Sequence, residues 1–359
     1  MNILEVIPSL RSGGAENFVV TLSNELAKNR CCKVTILTLY PPKENEFLKN
    51  KIGENVILIN LNKKKGVDFS LLFKILRVIV AGKYDICHFH IQAIIYCLVA
   101  SLFYRKCKYY ATIHSDAYKE AIGIHRYVRK FLFFFKFVTP ITISPLSQQS
   151  FYNLYKVKSV LIYNGVPNYM PLRKINLNKY RRTNQTKILL NVASIIPLKN
   201  QILFAKITNR LFLEGYDIVS LVLGKTSNIN YYNSLKKLES DCFHIIGEVN
   251  NPVDYDFQSD FFVLVSEYEG LPISLLEALS VNCVPIVTPV GGIPNIIKDG
   301  YNGFVAEDIQ EENIYEAIKR AIITTDSQIN EMKKHISKDF HLYSIERCAA
   351  LHFKLFSLE

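Results

Sequence analysis

A chain of 359 residues, 49% hydrophobic and 21% charged, carries enough apolar material for two sizeable cores and excludes a disordered or fibrous protein. Its net charge of +11 is lopsided: residues 1–168 hold 23 Lys+Arg against 10 Asp+Glu (+13), and the remainder holds 20 against 22 (−2). No apolar run reaches the roughly 18 residues that span a bilayer, and eight cysteines without metal spacing suit reduced core thiols rather than a disulfide framework.

The first segment, Met1-Asn2-Ile3-Leu4-Glu5-Val6-Ile7-Pro8, has no basic stretch ahead of its apolar one. It is expected as a buried strand rather than a signal peptide. Further strands are expected at 33–39, 56–60, 85–89, 109–113, 140–143 and 160–163, and helices at 15–28, 69–81, 92–104, 119–137 and 146–154. After Asn164-Gly165-Val166-Pro167 the periodicity stops, and the polar, basic stretch that follows, with Pro171, is expected as a linker over 169–186. Alternation resumes with a strand over 188–194, then strands at 218–223, 243–246, 261–265, 284–287 and 303–305. Strands alternating with helices predict parallel sheets with crossover helices. The expected domains are 1–168, then 187–341, with 342–359 as a last helix.

Several segments place chemistry at the ends of these elements. The strand over 261–265 leads through Glu267-Tyr268-Glu269-Gly270-Leu271-Pro272 into a helix carrying Glu277. Ligands of open α/β sheets bind beyond the strands' C-terminal ends. Pro272 suits a helix start, Gly270 allows a close backbone approach, and the helix N-terminus favours an anion such as a diphosphate. A carboxylate further along the helix is placed to accept hydrogen bonds from sugar hydroxyls. That is the plan of a nucleotide-sugar site, although glutamates near a helix start also serve simply to offset its dipole. Arg11, Gly13 and Gly14 sit between the first strand and its helix, where backbone amides can meet a phosphate. His88, His90 and His114 end two strands and are expected towards the same kind of crevice. The His88–His90 spacing also suits a metal, but with no Cys or carboxylate at matching distance none is expected. Asp254 and Asp256, on an expected helix, are expected as solvated surface. The segment 125–137 mixes Arg126, Arg129 and Lys130 with five phenylalanines, which suits either a membrane surface or a core helix buried on several sides.

The Glu269 and Glu277 pair, with seven residues between, resembles the donor-site motif of the family 4 retaining glycosyltransferases. So do Val290-Gly291-Gly292-Ile293-Pro294, Asp299-Gly300-Tyr301-Asn302-Gly303 and the Gly13-Gly14-Ala15-Glu16 opening. The resemblance covers nearly the whole chain and implies the GT-B fold, two Rossmann-like doubly wound domains facing a cleft, with the last helix crossing back to the first domain. It implies that Lys199 neutralises a donor diphosphate, Glu277 grips the ribose, Glu269, Gly270 and Leu271 orient the hexose, and the loop at Val249 reads the base. His114 is implied at the donor sugar, with His88, His90 and Asn164 lining the cleft or holding it. Ser194 stands where the family often has Arg, and Arg11 is a candidate to compensate from across the cleft.

The resulting expectation is retaining transfer of a hexose or N-acetylhexosamine, from a UDP-sugar by family frequency, to a lipid-linked saccharide acceptor in capsule or O-antigen synthesis. The catalytic set is His114, Glu269 and Lys199, and no cofactor or metal is called for. The basic half is expected against an anionic membrane surface and not nucleic acid, whose motifs are missing. The expected place is the cytoplasmic face of the membrane, held peripherally. Two rivals share the architecture. A nucleotide-sugar epimerase would turn over donor without acceptor, and a non-catalytic GT-B partner subunit would not bind donor.

Overall fold

The computed structural model describes all residues except 12, 42–46, 64–67, 171–174 and 359. Ser12, in the glycine-pair segment, and Pro171, in the expected linker, lie outside the described residues. The chain divides into two compact units, residues 1–166 with 343–359, and residues 167–342.

In the first unit the order is β1 (Asn2–Ile7), α1 (Gly14–Ala27), β2 (Lys33–Thr38), β3 (Val56–Asn60), α2 (Ser70–Gly82), β4 (Ile86–His90), α3 (Leu98–Phe103), β5 (Lys108–Ile113), α4 (Ala117–Glu120), α5 (Ile124–Phe134), β6 (Thr139–Thr142), α6 (Pro145–Tyr155) and β7 (Val160–Leu161). The seven strands form one parallel sheet in the order β3-β2-β1-β4-β5-β6-β7. Strands covered on both faces carry near-continuous apolar runs. Five of the six residues of β1 are buried, and Glu5 is the polar one among them.

The second unit continues with β8 (Lys187–Val192), α7 (Gln201–Leu213), β9 (Ile218–Leu223), α8 (Ile229–Lys236), β10 (Phe243–Gly247), α9 (Val253–Gln258), β11 (Phe261–Leu264), α10 (Ile273–Ser280), β12 (Val284–Val287), β13 (Phe304–Val305), α11 (Glu311–Ile323) and α12 (Asp326–Asp339). Its sheet is parallel in the order β10-β9-β8-β11-β12-β13. Both sheets thus reverse their strand order once, at β1/β4 and at β8/β11. Such switch points are where doubly wound sheets open for ligands. Leu177, within the segment expected as linker, is buried against Ile188 and Leu190 in this unit's core.

The last helix, α13 (Ile345–Ser357), belongs to the first unit and packs on α1. Its approach explains Gly165, in the segment where the expected periodicity stops. A Cβ there would lie 2.7 Å from the backbone oxygen of Ser344 and from the Cβ of Cys348. The backbone N–H of Val166 donates to Tyr343 at 3.0 Å, and that of Ile345 to Val166 at 2.9 Å.

Two expected helices differ in detail. The helix over 119–137 is two helices, broken at Gly123, whose φ of +55° a side chain rarely adopts. The helix over 92–104 begins as a 3-10 turn at Ile91–Cys97, and the Arg129 guanidinium donates to the Ile91 carbonyl at 2.7 Å to hold its start.

Candidate active site

In the second unit the β11 strand delivers a loop whose residues are stitched to their neighbours. The Ser266 hydroxyl donates to Glu269 Oε1 at 2.6 Å, and the Thr288 hydroxyl donates to the Ser266 carbonyl at 2.7 Å. The Glu267 backbone N–H donates to the Leu198 carbonyl at 3.0 Å, so the acidic loop is tied to the turn that carries Lys199. Lys199 ends a one-turn 3-10 helix, and its Nζ lies 2.6 Å from Glu269 Oε1. The carboxylate is almost fully covered and the ammonium about one-fifth exposed, so the pair is partly desolvated but open on the lysine side. Lysine offers three donors. One is engaged by Glu269, which leaves capacity for a second anion.

Gly291 closes the loop from the other side. Its φ is +60°, and a Cβ there would fall 2.0 Å from the Glu269 carbonyl oxygen. The next N–H, of Gly292, donates to Gly270 at 2.6 Å. Leu271 is buried, and Pro272 is the cap residue of α10, which begins at Ile273. Glu277 lies on the second turn of α10, 7% exposed, and accepts a hydrogen bond from the Tyr169 hydroxyl at 3.3 Å. Burial first, and then the Glu277 charge, raise the Tyr169 phenol above its ordinary value, so it remains a donor. Gly224 is pinned by closeness as well: its Cβ would sit 1.8 Å from the Ala193 carbonyl, beside half-buried Ser194. Gly224 N–H donates to Gly247 at 2.8 Å, and Val249, two residues beyond, packs on the core around Leu190 and Leu221.

Asp254 and Asp256 do lie on a helix, α9, but the expectation of solvated surface is wrong. Both are buried, at 2% and 1% exposure. Neither carboxyl oxygen of Asp256 has a hydrogen-bond partner among the described residues. Burial, and secondarily the charge of Glu277, push its carboxyl well above the usual range. Burial thus favours the protonated form of this side chain, which packs near α10.

In the first unit, Arg11 and Gly13 lie between β1 and α1 and Gly14 opens α1, all three exposed. Gly13 is the cap residue of α1, and the Glu16 carboxylate folds back to where a Gly13 Cβ would be, 2.3 Å away. Burial raises the Glu16 carboxyl against its own backbone hydrogen bond and Arg11. Asn164 is buried. His88 and His90 are fully buried rather than lining open surface. Register explains their company: Glu5 pairs with His88 across β1 and β4, and His90 is two residues on, on the same face. The carboxylate that the sequence does not place beside the histidines is therefore Glu5, from the neighbouring strand. Glu5 Oε2 lies 3.0 Å from His88 Nδ1 and 2.7 Å from His90 Nε2. Glu5, His88 and His90 bring three possible ligand atoms within 4.8 Å of one another, the donor set of one face of a transition-metal site.

His114 follows β5 and is half-buried. Its backbone N–H donates to Glu120 Oε2 at 2.7 Å, and Glu120 is held in turn by Arg129 at 3.0 Å. Arg129 is fully buried, so it is not one of the surface cations of 125–137. Nor is α5 buried on several sides. Ile124, Tyr127, Phe131 and Phe134 recur at helical spacing along one exposed face, at 69%, 71%, 40% and 63% exposure. Leu132 and Phe133 face the core.

With this geometry in hand, comparison with known proteins gives a consistent result. Residues 12–168 match the family model "Glycosyltransferase Family 4", and residues 173–338 match "Glycosyl transferases group 1". The capsular polysaccharide biosynthesis glycosyltransferase CapH of Staphylococcus aureus is 28% identical over 198 residues, 54% of this chain and 52% of that protein. The chain thus spans about half the length of that relative. Among solved structures, a glycosyltransferase from Rickettsia africae superposes with a TM-score of 0.83 at 19% identity, covering 99% of this chain and 97% of that one. Anabaena HepE in complex with UDP-glucose superposes at 0.79 with 16% identity, covering all of both chains. The chain is a protein of the GT-B fold, built from two Rossmann-like units. It is related to sugar-transfer enzymes, among them one of capsule synthesis.

Proposed function

We propose that the protein transfers a hexose or N-acetylhexosamine from a nucleotide-diphosphate sugar, UDP being favoured, to a lipid-linked glycan with retention of anomeric configuration. The observation that carries this is the Lys199–Glu269 pair, 2.6 Å apart, on loops that follow β8 and β11 at the switch point of the second sheet. Lys199 offsets charge on the departing diphosphate. Glu277 accepts hydrogen bonds from the ribose. Glu269, with the Gly270 and Leu271 backbone, orients the sugar, and the loop at Val249 meets the base. For His114 the proposed role is a hydrogen bond to a sugar hydroxyl. The acceptor attacks from the face the diphosphate leaves, and a diphosphate oxygen takes the acceptor's proton as the new glycosidic bond forms. No protein nucleophile is assigned.

Support for a nucleotide-sugar donor comes from the HepE complex with UDP-glucose, and support for polysaccharide synthesis from CapH. The first unit is assigned to the acceptor and the second to the donor. The excess of +13 over residues 1–168 and the exposed apolar face of α5 support a place against an anionic membrane surface. No helix among the described residues is long and apolar enough to cross a membrane. On the charge excess and the apolar face of α5 we assign a peripheral attachment at the cytoplasmic face.

The test is the melting temperature with a panel of nucleotide sugars, beside Glu277→Ala. A donor at 100 times its Kd adds about 2.7 kcal/mol of stability. One donor is expected to shift the native protein and not the variant. A panel with no effect on the native protein would sink the donor site.

A further inference from the structure

Glu277, which the donor reading gives to the ribose, stands on the second turn of α10, a helix with seven of its eight residues buried. A helix so covered fixes where the side chain starts. The last torsion of a glutamate, however, is broad and roughly two-fold. The plane of the carboxylate is therefore the freedom that helix packing leaves open. A second side chain of the same unit closes it. The Tyr169 hydroxyl donates to Glu277 Oε1 at 3.3 Å, from 108 positions away along the chain.

We propose that Tyr169 is a positioning residue for Glu277, fixing the plane of its carboxylate towards the vicinal hydroxyls of a nucleotide's ribose, and that it thereby sets a preference for ribonucleotides over their 2′-deoxy forms. This rests on the donor reading for the ribose and lies wholly within the second unit.

A vicinal diol presents two O–H donors side by side, and a carboxylate presents two acceptor oxygens side by side. They match only if the plane of the acid is held. An ionised carboxylate has about four acceptor sites, and Tyr169 takes one of them. A phenol holds the acid without neutralising it, whereas a lysine or arginine in its place would bring a charge and several donors at once. Burial and the Glu277 charge both favour the protonated phenol, which keeps the direction of this bond fixed. The nearby Asp256 does not share the task, because neither of its oxygens has a hydrogen-bond partner among the described residues.

The placement of Tyr169 is selective. Residues 167–170 form neither helix nor strand, and Asn168 and Met170 on either side are exposed while Tyr169 is half-buried. The segment thus turns this one side chain inward, and its hydroxyl ends on the acid. A tyrosine that merely stapled the segment to the unit would need its ring and not its oxygen.

The experiment is calorimetric titration of the full chain with UDP, GDP and ADP, each beside its 2′-deoxy form, in the native protein, Tyr169→Phe, Glu277→Ala and the double variant. Tyr169→Phe removes one oxygen and keeps the ring with its packing. The native protein is expected to bind one of the three ribonucleotides at least about tenfold tighter than its 2′-deoxy form, one hydrogen bond to a charged group. In Tyr169→Phe the ribonucleotide is expected to weaken about fivefold to tenfold, with the 2′-deoxy form nearly unchanged, so the preference collapses. In Glu277→Ala the preference is lost outright, and adding Tyr169→Phe then changes nothing further, because the two residues act as one unit.

An undiminished preference in Tyr169→Phe overturns the positioning role. Equal weakening of both nucleotides, which leaves the ratio intact, is the mark of a residue that only staples the segment. A native protein that binds a ribonucleotide and its 2′-deoxy form equally also overturns the inference, and leaves nucleotide binding itself standing. A native protein that binds none of the three overturns the donor reading and the inference with it, and that result is seen before any substitution is made.

Discussion

Single side chains in this protein are governed by what burial does to charge. Asp256 is the clearest case: an acid with no hydrogen-bond partner for either oxygen among the described residues, close enough to Glu277 to sense its charge. Its carboxyl is raised in the folded protein, so its contribution to stability is fully present below the unfolded pKa of about 4 and is lost as pH rises towards the folded value. Asp256→Leu removes that loss and the unsatisfied group. It is expected to stabilise the protein by about 1–3 kcal/mol at neutral pH, with the advantage shrinking towards pH 4. Melting curves from pH 4 to 8 would show the two proteins converging at the acid end, and parallel curves would refute a neutral, buried Asp256. Sequence reasoning expected Asp256 on a surface, because a carboxylate in a short polar helix is usually solvated. Glu5 had a visible signal, a lone acid inside an apolar strand. Its partners were not visible, because strand neighbours are set by sheet order and register.

At the scale of elements, the parts read most accurately were those whose chemistry is local. The loop from β11 to α10 was legible because a strand, a glycine, a proline and a helix follow in sequence. What closes the loop was less so. Gly291 matches a family motif, but only the folded chain shows the reason, a positive φ with the Glu269 carbonyl where a side chain would go. Gly291→Ala is expected to cost more than about 3 kcal/mol, and to abolish the donor-dependent melting shift even in protein that folds. A variant that keeps that shift would show that the loop does not depend on this contact. The α5 helix was left open between a membrane surface and a core helix for a similar reason. Phenylalanine on many sides suggests burial on many sides, yet one stripe is uncovered and Arg129 is inside with Glu120. A membrane contact should therefore be probed through the stripe and the exposed cations. The combined Tyr127→Ser, Phe131→Ser and Phe134→Ser change, and separately Lys130→Glu with Lys136→Glu, should each reduce co-sedimentation with phosphatidylglycerol vesicles several-fold and leave binding to neutral vesicles unchanged. Equal sedimentation of both variants and the native protein would remove α5 from the membrane.

For the whole molecule, the two ends of the chain share one unit. α13 buries Ile345, Ala349 and Phe356 in the first unit. Fully burying one large apolar side chain is worth about 1.5–3 kcal/mol, and a domain's net stability is only about 5–15 kcal/mol. A chain ending at residue 342 is expected to lose its first unit. Limited proteolysis should cut within residues 1–166 first while a fragment of the second unit persists, and a protease-resistant first unit would contradict this. The amino-acid sequence by itself determined the α/β class, the alternation, the strand–loop–helix that carries Glu269 and Glu277, and the asymmetry of charge, because these depend on periodicity and on residues close along the chain. Only the tertiary structure decided that Lys199 pairs with Glu269, that Tyr169 reaches Glu277, that Glu5 stands behind His90 and His114, and that Asp256 is dry. Each of those joins residues from 70 to more than 100 positions apart or depends on what covers a surface. Strand order and burial supply that information, and neither has a period in the sequence.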